Sequence, residues 1–104
     1  MYEAKWTTMA KRHLLFVDDN FHFMDEGERI GPIEFDTSDA ALAEARRIVD
    51  VDLAGYFKPG MTAAQVYELY VAFGDDPFIV SDDPAAQSVS ARRYAERRCK
   101  ELCG

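Results

Sequence analysis

Apolar and polar positions alternate early in the chain and then settle into helical spacing. Arg12-His13-Leu14-Leu15-Phe16-Val17 is short and rich in strand formers, which predicts a strand. Asp18-Asp19-Asn20 is compatible with a turn, and Phe21-His22-Phe23-Met24 can resume the extended pattern. Two readings compete. A tight turn at Asp19-Asn20 makes a hairpin, or one long strand continues to a turn over Asp25-Glu26-Gly27-Glu28. The second is preferred, because Gly27 tolerates a left-handed backbone. Ile30 to Phe35 reads as another strand, weakened at its start by Gly31-Pro32 and alternating through Ile33-Glu34-Phe35.

Helical signals then take over. Thr37 is a good N-cap, and Asp39 places an anion in the first turn, where the helix dipole favours it. Leu42, Ala45, Val49 and Leu53 recur on one face, broadened by Ala41 and Ile48, with Gly55 as a stop. Glu44, Arg46, Arg47 and Asp50 fall on the wet side. Glu44 faces Arg47 three residues on, but not Arg46 two residues on. Thr62-Ala63-Ala64-Gln65 matches a capping box, with Met61 and Val66 spaced as a hydrophobic staple. Val66, Leu69, Tyr70 and Phe73 continue that helix to Gly74. Asp75-Asp76-Pro77 is expected to turn the chain into a short strand, Phe78-Ile79-Val80. Asp82-Asp83-Pro84 marks a last helix start. Ala91, Tyr94, Ala95, Cys99 and Leu102 form its apolar face, opposite Arg92, Arg93, Glu96, Arg97 and Lys100.

The expected fold is α+β, a small, mainly antiparallel sheet with three helices packed on one face, in the order β-β-α-α-β-α. The 104 residues fit a single domain, 1–104, with residues 1–10 as a loose N-terminal arm carrying Trp6. Phe16, Phe21, Phe23, Phe35, Tyr70, Phe73 and Phe78 are expected to supply most of the core.

Composition narrows the function. Twelve Lys and Arg against nineteen Asp and Glu give a net charge of -7, which argues against a general binder of nucleic-acid backbones. No apolar run is long enough to span a bilayer, and the first residues lack a signal-peptide core, so the expected location is cytoplasmic. Charge is uneven. Asp18 to Ala54 holds eleven acids and three bases, whereas Ala85 onward holds five bases and two acids. Arg92, Arg93, Arg97, Arg98 and Lys100 therefore form a candidate interaction face, alongside the plainer reading of a solvated basic face docked near an acidic body.

Candidate chemistry concentrates between Val17 and Glu26. If the strand continues, Asp18, Asn20 and His22 share one face, and with Asp25 and Glu26 they compose a candidate divalent-metal set. The same residues also serve as turn or hairpin chemistry. The EF-hand spacing is not met. His22 with Asp19 is the candidate acid-base pair of an enzyme, although no phosphate-cradling loop, HExxH or GxSxG accompanies it. His13 is expected on the strand surface, and Ser81, Ser88 and Ser90 fit turn and capping roles. Cys99 and Cys103 are expected as reduced thiols, Cys99 packed and Cys103 near a frayed end.

The segments "VDDNFHFMDE", "EFDTSDAALAEARRIVD" and "FGDDPFIV", over most of the central chain, resemble a family of small bacterial proteins without an assigned activity. The resemblance implies a stand-alone compact domain and supplies no catalytic residue. The leading expectation is a non-enzymatic interaction or regulatory module, without a cofactor, whose partner is a protein or a second copy. A homodimer would pair the acidic strand region of one copy with the Arg-rich helix of the other. Nucleic acid and membrane are not expected partners. The alternatives are a divalent-metal-binding domain and a small enzyme using His22 and Asp19.

Overall fold

A computed structural model describes residues 13–22, 29–87 and 90–103. Strand β1 (His13–Asp19) lies between β2 (Ile30–Phe35) and β3 (Asp75–Ser81), and both neighbours run antiparallel to it. Helices α1 (Ser38–Tyr56) and α2 (Ala63–Phe73) precede β3, and α3 (Pro84–Gln87) and α4 (Ala91–Cys103) follow it. This is the expected α+β order, with the C-terminal helical stretch divided in two. The division has local causes. Asp83 caps a single turn, its Oδ1 accepting from Ala85 N at 3.0 Å. Ser90 then starts afresh, its carbonyl accepting from Tyr94 N and its hydroxyl from Arg93 N.

Helix α1 begins as its sequence dictates, with Thr37 accepting from Ala40 N at 3.1 Å. Its stripe of Ala41, Ala45, Val49 and Leu53 is buried along its whole length. The stripe serves two cores. Ala41 and Ala45 are small and let the helix approach the sheet, where they meet Leu15, Val17, Ile79 and Ala86. Val49 and Leu53 are larger and fill the space between α2 and α4 with Val66, Tyr70, Ala91, Ala95 and Cys99. The capping box at Thr62 and Gln65 forms in both directions, and Met61 packs on the cluster containing Val66.

Most of the expected aromatic core is not core. Among the described residues of those seven, Tyr70 alone is fully buried. Phe16 and Phe78 stack at 5.3 Å on positions that alternate with the buried Leu15, Val17 and Ile79, so they lie on the outer face of the sheet. Phe73 (51% exposed) and Phe21 (62% exposed) stack on each other at the surface. Phe35 is half-buried, and Phe23 lies outside the described residues, as do the arm with Trp6, the expected turn at 25–28, and Ser88.

β1 does not run on through Phe23. It stops at Asp19 and gives way to a single 3-10 turn, Asn20–His22. Three hydrogen bonds turn the chain there. Asn20 N donates to the Gly74 carbonyl at 2.9 Å, Asn20 Nδ2 to the Tyr70 carbonyl at 3.0 Å, and Phe21 N to Asp19 Oδ1 at 2.9 Å. Gly74 makes this close approach possible, since a Cβ there would sit 2.5 Å from the Tyr70 ring. A second glycine is demanded at Gly31, where φ is +117° and a Cβ would meet the Leu15 carbonyl at 2.6 Å. There the β1–β2 register slips between Leu15 and Val17, so Gly31-Pro32 marks a bulge. Asp75-Asp76-Pro77 also departs from expectation. These residues form the first half of β3, which lies at the sheet edge, where a strand tolerates proline.

Candidate functional site

Charge gathers in two places. The first is the end of the β1–β3 ladder, where register sets Asp18 opposite Asp76 and Asp19 opposite Asp75. Like charges directly across a ladder repel. The chain answers with its own donors. Arg29 forks onto Asp18, Nε to Oδ1 at 2.6 Å and Nη2 to Oδ2 at 3.1 Å, while its guanidinium lies 5.1 Å from the Phe78 ring centre. Asp52 of α1 accepts from Asp75 N at 2.6 Å. The Tyr70 hydroxyl donates to the Asp75 carbonyl at 2.6 Å. Burial raises the carboxyl pKa of Asp52, Asp75 and Asp76 above the ordinary value. The charge of Asp19 adds to the rise at Asp52, those of Asp52 and Asp19 at Asp75, and that of Asp18 at Asp76. The Arg92 guanidinium opposes the rise at Asp76.

The metal candidates do not assemble as a strand would place them. Asp18 is the outer partner of Arg29, whereas Asn20 is buried and spent on the Tyr70 carbonyl. The 3-10 turn breaks the alternation that would have carried Asp18, Asn20 and His22 on one face. Asp25, Glu26 and the side chain of His22 lie outside the described residues. Among the described residues, no group of three or more His, Cys, Asp or Glu is placed to hold a metal. Asp19, the other half of the proposed acid-base pair, belongs to the carboxylate cluster.

The second place is the flank of α4, and here the five expected basic residues part company. Arg92 turns toward the carboxylates, with Nη2 3.4 Å from Asn20 Oδ1. Arg98 is paired, Nε to Asp50 Oδ1 at 3.1 Å and Nη1 to Glu101 Oε1 at 2.5 Å, and these contacts raise its pKa. Lys100 lines a separate recess with Ala63, Ala64, Tyr67 and Glu96. Arg93 and Arg97 remain, and α1 adds Arg46. These three, with Ser90 and Tyr94, line a cleft of about 220 Å³.

The Tyr94 ring organises the cleft. The guanidinium carbons of Arg97 and Arg46 lie 5.1 and 5.7 Å from its centre, within cation–π range. Its hydroxyl donates to both Asp50 oxygens, at 2.9 and 3.1 Å, which fixes the ring. Burial, followed by this contact with Asp50, raises the Tyr94 pKa and keeps the phenol protonated. Asp50 is thereby committed to Tyr94 and Arg98. Among the described residues, Arg46, Arg93 and Arg97 form no ion pair with any carboxylate. The sequence contained the signal for Arg46. Glu44 binds Arg47 through two bonds of 2.8 and 2.6 Å, and Arg46, at the wrong spacing, is left out.

His13 corrects a further expectation. It is buried (6% exposed), and its Nδ1 lies 2.7 Å from the Ser81 hydroxyl, which also accepts from Asp83 N. The pair satisfies two buried polar groups beneath a recess of about 440 Å³ lined by His13, Asp36, Thr37, Ser38, Asp82 and Asp83. Cys99 is buried with a pKa raised by burial, as suits a packed thiol, and Cys103 is half-buried; both are free. Among the described residues, no helix is long and apolar enough to cross a membrane.

No protein-family model, curated protein or solved structure matches the chain.

Proposed function

We propose that the protein is a cytoplasmic, non-enzymatic interaction module, and that the cleft between α1 and α4 receives an acidic group of a protein partner. One observation carries this reading. Arg46, Arg93 and Arg97 share a cleft without a carboxylate counter-ion among the described residues, in a chain with nineteen acids and twelve bases. Counter-ions are therefore abundant in the chain, yet none among the described residues pairs with these three arginines. A second copy is one such partner. Its carboxylates at the β1–β3 end would complement the cleft, and a two-fold dimer would form that contact twice.

Light scattering across a concentration series, at low and high salt, tests the self-contact, and calorimetry with a Glu-rich peptide tests a foreign one. The expected result is association that weakens with salt and is lost in Arg97→Gln. A chain that stays monomeric throughout and gives no heat with the peptide contradicts the proposal.

A further inference from the structure

We infer that the Arg46–Arg93–Arg97 cleft is a site for a phosphate monoester. The inference rests on the reading of this cleft as the partner contact and names the chemistry it takes. Elsewhere in the fold, one carboxylate can take a guanidinium through two bonds, and Arg98 draws on two carboxylates. Glu44 satisfies Arg47 by two bonds, and Asp18 satisfies Arg29 in the same way. Three guanidinium groups in one cleft exceed what one carboxylate can neutralise. A dianion with three terminal oxygens comes closer to their charge than a carboxylate does, and it offers one oxygen to each guanidinium.

The cleft is also built in advance. Arg46 and Arg97 rest against a tyrosine ring that Asp50 holds in place, so less side-chain freedom is lost on binding. Ser90 stands at the start of the 13-residue α4, where its Oγ accepts from Arg93 N at 3.3 Å and its own proton is available to an anion. Ser90, at the positive end of that helix, also lines the cleft.

The surroundings set the scale of the ligand. A net charge of -7 opposes the approach of a long polyanion, whereas a discrete dianion meets mainly the local field of the three arginines. A phosphate on a serine or threonine side chain and a free small phosphate share this chemistry.

Isothermal titration of the full chain with four probes tests the inference: a phosphoserine peptide, the same peptide unphosphorylated, its Ser-to-Glu counterpart, and inorganic phosphate. The phosphopeptide is expected to bind at least tenfold more tightly than the Glu counterpart. Arg46→Gln, Arg93→Gln and Arg97→Gln are each expected to weaken it at least tenfold, and Lys100→Gln, outside the cleft, to leave it unchanged. Circular dichroism confirms that each variant is folded. Equal binding of phosphopeptide and Glu counterpart, both lost in Arg97→Gln, overturns the phosphate inference and leaves the acidic-partner reading standing. Inorganic phosphate binding as tightly as the phosphopeptide supports the site and overturns the protein partner. No binding of any probe overturns both.

Discussion

The two charged regions of this fold are handled in opposite ways. At the end of the β1–β3 ladder, the antiparallel register forces Asp18 against Asp76 and Asp19 against Asp75, and the chain brings in Arg29, Arg92 and backbone donors to meet them. In the α1–α4 cleft, three guanidinium groups converge without a carboxylate from the described residues. The first arrangement is met in part by cations of its own chain. The second is left open for something else. In an acidic chain the contrast is informative, because an open arginine cluster does not follow from composition.

Mutations of single arginines should separate the two regions most sharply. Arg92→Met removes the cation facing the half-buried Asp76 and is expected to destabilise the fold by ~1–2 kcal/mol, as losing a partner of a charged group does. For a domain of this size, each kcal/mol corresponds to a Tm loss of roughly 4–8 °C. An unchanged melting curve would show that the ladder end does not depend on its arginine.

A smaller effect of opposite sign is expected from Asp75→Asn. Burial and the neighbouring Asp52 and Asp19 raise the Asp75 pKa, so between the ordinary and the raised value the folded chain holds a proton that the unfolded chain has released. Such a group favours folding below the ordinary carboxylate pKa, and that contribution is lost as pH rises through the raised value. The asparagine variant should therefore be more stable at neutral pH, by about 0.2–1 kcal/mol as for a like-charged cross-strand pair. Its advantage should shrink as pH falls through the raised value into the ordinary carboxylate range. Thermal melts of both proteins along a pH series check this, and a constant difference at all pH values would contradict it.

The smallest effect is expected in the cleft. Arg97→Gln and Arg46→Gln each remove a guanidinium that pairs with no carboxylate among the described residues, so stability should stay within about 0.5 kcal/mol. A Tm loss as large as that of Arg92→Met would mean that these arginines hold the fold together, and the contrast between the regions would disappear.

The helices were legible because their signals are local. Thr37, the Thr62–Gln65 box and the four-residue spacing of Ala41, Ala45, Val49 and Leu53 each act within a turn or two of chain. The features that departed from expectation depend on distant partners. β1 stops at Asp19 because Asn20 finds the Tyr70 carbonyl fifty residues away. Asp75-Asp76-Pro77 looks like a turn until β1 supplies its ladder. Phe16 and Phe78 are apolar enough for a core, but strand alternation sends them to the outer face. The site divides along the same line. Arg93 and Arg97 belong to a basic helix visible in the sequence, whereas Arg46 joins them only through the packing of α1 on α4.

A proton–nitrogen NMR titration that resolves arginine Nε–H groups, with the phosphoserine peptide as probe, addresses the cleft most directly. The resonances of Arg46, Arg93 and Arg97 should move together along one saturating curve, while those of Arg47 and Arg98, whose Nε–H groups already donate to Glu44 and Asp50, stay in place. Shifts confined to Arg92 and Arg98, or none at the three cleft arginines, would contradict the account.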